Sequence, residues 1–139
     1  GQQLCAAQIV GFRTMSRFHP AVVLAALWAI VAVRLARHRL KRDGVKARVP
    51  RPPAVGRRGT KGVRAALRRL SPTCLERALV EQAWLVSLGT PRDVVIGVPQ
   101  NGMKEAPAHA WVDGIDIVSP TQYLELHRLP PPAATGRRK

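Results

Sequence analysis

The chain has 139 residues, enough for one domain with a modest core and too few for two ordinary ones. Its formal charge is +15, and fourteen of its 23 Lys and Arg residues fall between Arg34 and Arg69, where the only acid is Asp43. Two cysteines exclude a disulfide framework, and scarce aromatic residues that do not interleave with the basic ones argue against a stacking platform for nucleic acid.

Residues 1–14 carry little pattern and read as unstructured or as lying upstream of a natural start at Met15. No secretory cleavage site is apparent, so a cytoplasmic chain with reduced thiols is expected. Residues 15–42 form an apolar and basic N-terminal helix. Its uncharged run, Ala21 to Val33, has thirteen residues, short of the roughly 20 needed to span a bilayer. A core helix, or one lying on a partner or membrane surface, fits better, and Pro20 suits its first turn. Residues 43–61, rich in Pro, Gly and Arg, read as an extended, poorly ordered basic linker. A short basic helix from Gly62 to Leu70 then places Val63, Ala66, Leu67 and Leu70 on one face, opening a core domain of residues 62–130.

Thr73-Cys74-Leu75-Glu76 is a capping-box pattern, with Thr73 as N-cap and Glu76 reaching back. Leu75, Ala78, Leu79, Gln82, Leu85 and Val86 recur at helical spacing, and Gly89 with Pro91 stops the helix near Leu88. Asp93 to Val98 is a β-branched run with the length of a buried strand. Ala108 to Val112 is a second strand, Asp113-Gly114 a tight turn, and Ile115 to Val118 the returning strand. Gln122 to Leu126 reads as one helical turn, and residues 131–139 as a disordered basic tail. Helices and strands segregate along the chain, which is an α+β arrangement.

Cys74 opens the long helix, where unpaired N–H groups and the macrodipole favour negative charge on its sulfur. A thiolate is the nucleophile that amide chemistry needs. Taken alone, a buried inert cysteine is the commoner case. His109, in the strand Ala-His-Ala-Trp-Val, shifts the balance: an imidazole in reach of the sulfur takes its proton and later returns it to the leaving amine. His19, His38 and His127 read as ordinary packed or exposed histidines. With no CxxC, no HxxxH and no second nearby cysteine, neither a metal nor a cofactor is expected.

Ser-Pro-Thr-Cys-Leu-Glu-Arg-Ala-Leu, Val-Ile-Gly-Val and Ala-His-Ala-Trp-Val-Asp-Gly, in that order, resemble the standalone leader peptidases of lasso-peptide biosynthesis. Those belong to the transglutaminase-like branch of the papain-type cysteine proteases. The resemblance covers Ser71 to about Pro130. It implies a nucleophile helix packed on a small antiparallel sheet, and a hydrolase that removes the leader from a ribosomally made precursor before a macrolactam synthetase closes the ring. A small leader-recognition protein would deliver the precursor. The resemblance makes Cys74 the nucleophile and His109 the base, with Arg77 matching the arginine that commonly follows the nucleophile and Trp111 packing against the helix or the histidine.

The family places an acid before a proline on the returning strand, and here that position is Ser119. A two-residue Asp113-Gly114 loop puts Asp116 on the face of His109 as its diagonal neighbour; a bulged three-residue loop pairs His109 with Ser119 instead. Asp116 is the favoured third member of the triad, Ser119 the alternative. Two other functions remain open: amide transfer through the same thioester, and a non-catalytic basic binding module on a degenerate peptidase fold. The basic block itself reads as a solvated linker, or as a surface for acidic stretches of leader or carrier, or for a peripheral anionic membrane contact. Nucleic acid is not an expected partner.

Overall fold

The computed structural model describes residues 19–99, 108–115 and 123–132. Helix α1 (Pro20–Asp43) is followed by 3-10 turns at Gly44–Lys46 and Gly56–Gly59, then helices α2 (Thr60–Leu70) and α3 (Cys74–Ser87). Three strands complete the described chain: β1 (Val94–Pro99), β2 (His109–Val112) and β3 (Tyr123–Leu129). The fold is α+β, an apolar N-terminal helix and its neighbours packed with a three-stranded antiparallel sheet of order β2-β1-β3.

The sequence pattern of α3 suggests one apolar stripe, yet the helix is buried on two sides. Val80, Ala83 and Trp84 pack into a core with Ala25, Trp28, Ala29, Ala32 and Val33 of α1 and Val63, Ala66 and Leu67 of α2. Ala78 packs on Val94, Ala110 and Val112 of the sheet, with Cys74, Leu75 and Leu85 alongside. Helix α3 is thus the middle layer, and a stripe drawn for a single partner accounts for half of it. Gln82 is buried between the layers, its amide donating to Arg92 O and Leu129 O, both at 2.9 Å. A buried amide so satisfied locks helix to sheet.

Helix α1 is longer than its thirteen-residue uncharged run, at 24 residues. By length and composition it could cross a membrane, but 39% of its apolar window is buried inside the fold. Burying a side chain such as Trp28 or Val33 contributes about 1.5–3 kcal/mol, so detaching α1 would dismantle the helical core. Pro20 sits in the first turn, and His19 Nδ1 accepts from Ala21 N–H at 3.2 Å as the cap.

Residues 43–61, expected as a poorly ordered linker, are laid against these helices. Trp28 Nε1 donates to Pro50 O at 3.1 Å, Val49 and Val55 pack on the core, and Ala47 is buried. The apolar residues scattered among the prolines and arginines are what anchor the segment. Trp84 Nε1 donates to Thr60 Oγ1 at 3.1 Å, and its ring lies 5.8 Å from that of Trp28.

The helical turn expected over Gln122 to Leu126 is not formed by its described residues: Tyr123–Leu129 is a strand antiparallel to β1. The alternation Tyr-Leu-Glu-Leu-His is the period of a strand, and β1 supplies the ladder that a lone turn would lack. His127 pairs with Ile96 and Glu125 with Gly97, so Leu126 is the extra residue of a bulge. Arg128 of β3 bonds Glu125, Asp113 and Asp93, tying together the ends of all three strands. These carboxylates, Glu125 foremost, raise the pKa of its guanidinium further.

Candidate active site

Thr73 caps α3 as the sequence pattern indicates. Its Oγ1 accepts from Glu76 N–H at 3.3 Å while Glu76 Oε2 accepts from Thr73 N–H at 3.2 Å. The box consumes the N–H groups of residues 73 and 76 and leaves those of Cys74 and Leu75, in the first turn, pointing out of the helix end. The opposite end closes with Gly89 N–H on Val86 O and Thr90 N–H on Leu85 O.

Cys74 is half-buried. Its sulfur lies 4.0 Å from Ala108 O, the carbonyl directly preceding His109. Across one planar peptide this puts the sulfur within roughly 7 Å of the His109 Cα, while the His109 ring itself packs with Trp111 and Tyr123. The helix end and the start of β2 therefore meet at one edge of the sheet.

His109 stands at the first position of β2, paired with Gly97. Its ring packs with those of Trp111 and Tyr123, at centroid separations of 5.8 and 5.5 Å. Ala110 and Val112 point to α3, so His109 and Trp111 occupy the other face of the sheet. Gly97 makes room for this cluster: a Cβ there would meet the Trp111 ring at 2.8 Å and Leu124 O at 2.9 Å. Trp111 accordingly packs on the histidine rather than on the helix. A cavity of about 410 Å³ lies elsewhere, lined in part by Val45, Val49, Leu79, Leu129 and Pro130; neither Cys74 nor His109 lines it.

Arg77 is exposed and has no ion pair among the described residues. Asp116 and Ser119 both lie outside the described residues. The arginine that does touch the site's scaffold is Arg37 of α1, which sequence reasoning missed. Its Nε donates to Glu76 Oε1 at 3.1 Å and its Nη2 to Oε2 at 3.5 Å, and Glu76 is only 4% exposed. One carboxylate thus caps α3 and bonds α1. The capping pattern made Glu76 visible in the sequence; nothing local signals a partner 39 residues away. Tyr123, beside His109, was hidden by the helical reading of its segment.

Glu76→Ala is expected to cost roughly 1–3 kcal/mol, through loss of a charge-assisted bond and of the cap. Arg37→Ala should cost less, because that side chain is half exposed and water can replace it. Urea denaturation measures both, and equal midpoints for wild type and Glu76→Ala would show that the clamp carries no stability.

The model of the transglutaminase-like superfamily matches residues 19–127, more than three-quarters of the chain. The chain belongs to the transglutaminase-like superfamily. Members of this superfamily are typically cysteine-based enzymes, peptidases or acyltransferases. No characterised protein and no solved structure gave a match. The match begins at His19, so the superfamily domain takes in α1 as well as the helix and sheet that carry Cys74 and His109.

Proposed function

We propose that this transglutaminase-like chain is a cysteine peptidase that removes the leader from a ribosomally made lasso-peptide precursor. The observation that supports this most is the meeting of the Cys74 sulfur, at the first turn of a capped helix, with the Ala108–His109 backbone. The motifs around these two residues, which resemble the leader peptidases, supply the substrate class.

In the proposed reaction His109 takes the Cys74 proton as sulfur attacks the scissile carbonyl carbon. The backbone N–H of Cys74 stabilises the tetrahedral oxyanion. Collapse breaks the C–N bond, and the imidazolium protonates the leaving amine, which is the new N-terminus of the core peptide. Water, deprotonated by His109, then hydrolyses the leader thioester to a carboxylate and frees the thiol. Asp116, or Ser119, would hold the imidazole in the correct tautomer. Work on a newly made precursor places the reaction in the cytoplasm, with a leader-recognition protein delivering the substrate and a synthetase consuming the product.

Superfamily membership supports one other reading, transfer of the acyl group to an amine instead of water. Mass analysis of a cognate precursor, after incubation with the protein and its leader-recognition partner, separates the two. Hydrolysis yields a leader ending in a free carboxylate, together with the core. An amine-capped leader would establish transfer instead, and an intact precursor would remove the leader-peptidase reading.

A further inference from the structure

We infer that the outer face of α1 is a docking surface for an anionic lipid bilayer. Val23, Leu24, Leu27 and Val31 are 44%, 50%, 55% and 51% exposed. At 100° per residue these four fall on one stripe, opposite the stripe of Ala25, Ala29, Ala32 and Ala36 that enters the core. The same outward stripe continues through Arg34, His38 and Lys41, all exposed. Arg58 lies at the other end, its Nη1 3.2 Å from His19 Nε2. An aliphatic strip is therefore bracketed by cations, and the single acid of α1, Asp43, is already engaged by Arg42 at 3.7 Å.

Three observations select a bilayer as the occupant. Charge is the first: this half of the molecule is overwhelmingly positive and suits an anionic surface. That same charge opposes a second copy packing face to face. Shape is the second: the patch is the convex flank of one helix, built of Val and Leu without the aromatic anchors that concentrate protein–protein affinity. Leu and Val side chains sinking to the headgroup–acyl boundary, with long cationic side chains reaching the phosphates, need no matching pocket. Third, the opposite flank of α1 is the wall of the helical core, which suits a helix lying in the interface plane.

Flotation of the full-length protein with vesicles tests this. Wild type should float with vesicles of phosphatidylcholine and phosphatidylglycerol in equal parts, less with phosphatidylcholine alone, and progressively less as salt is raised. The triple variant Leu24→Gln, Leu27→Gln, Val31→Gln should bind at least about tenfold more weakly, and Arg34→Glu with Lys41→Glu should lose a similar factor. All five side chains lie outside the core, and unchanged circular dichroism would confirm that the variants fold. No flotation with the anionic vesicles at low salt would overturn the proposal. So would undiminished binding by the glutamine variant, or a concentration-dependent dimer that this variant abolishes, which would assign the face to a second copy. None of these readouts involves Cys74, so the docking face and the peptidase reading can fail separately.

Discussion

Replacing Cys74 by alanine is expected to slow processing of a cognate precursor by a factor on the order of 10⁴ or more. The hydroxyl of Thr73, adjacent in sequence, is tied to Glu76 N–H as the helix cap. The sulfur packs beside the sheet core without belonging to its fully buried residues, so alanine there should leave the fold and its capping box intact. His109→Ala is expected to lose a comparable factor, since the thiol then has no base and the leaving amine no acid. Its ring also packs on Trp111 and Tyr123, so stability must be measured beside rate for that variant. Precursor cleavage followed by mass spectrometry gives the rates; wild-type processing by Cys74→Ala would end the assignment of the nucleophile.

The largest expected effect on stability is at Gly62, far from any chemistry. Helices α1 and α2 cross so closely there that a Cβ on residue 62 would stand 2.1 Å from Val22 O, 3.0 Å from Val22 C and 3.1 Å from Ala26 N. All three are backbone atoms, so no side chain can swing away to relieve the clash. Gly62→Ala must push the helices apart, opening the contact among Ala25, Ala29, Val63 and Ala66 that the crossing seals. A cost of about 3 kcal/mol or more is expected, which lowers the melting temperature by roughly 10 °C. Alanine otherwise favours a helix over glycine by about 1 kcal/mol, so the sign of the change is diagnostic. An unchanged or raised melting temperature would mean that the helices do not cross at this distance.

The sequence showed most clearly those features whose determinants are local. Thr73 and Glu76, three residues apart, mark the start of α3, and Gly89 marks its end. The β-branched run before Pro99 and the strand around His109 were legible for the same reason. What escaped notice depends on partners distant along the chain. Arg37 looks like one cation among many until α3 brings Glu76 against it. Residues 43–61 look like linker because their few apolar side chains acquire meaning only beside Trp28 and the core. Tyr123–Leu129 is short enough to suit either a turn of helix or a strand, and only the unfilled edge of β1 decides between them. At the site, Cys74 and His109 stand out as separate motifs; the approach of the Cys74 sulfur to the Ala108 carbonyl is a product of α3 packing on β2. The choice between Asp116 and Ser119 rests on residues beyond the described ones.

The ion pair between Arg37 and Glu76 ties α1 to the end of α3 that carries Cys74. A fragment trimmed to begin at α2 would lose a wall of its interior and the clamp on α3 in one cut. The flank of that rod turned outward and the flank that steadies the thiol's helix are two sides of a single cylinder. Whatever grips the outside therefore holds the Cys74 end of α3 at a fixed height and angle, as a handle holds a blade.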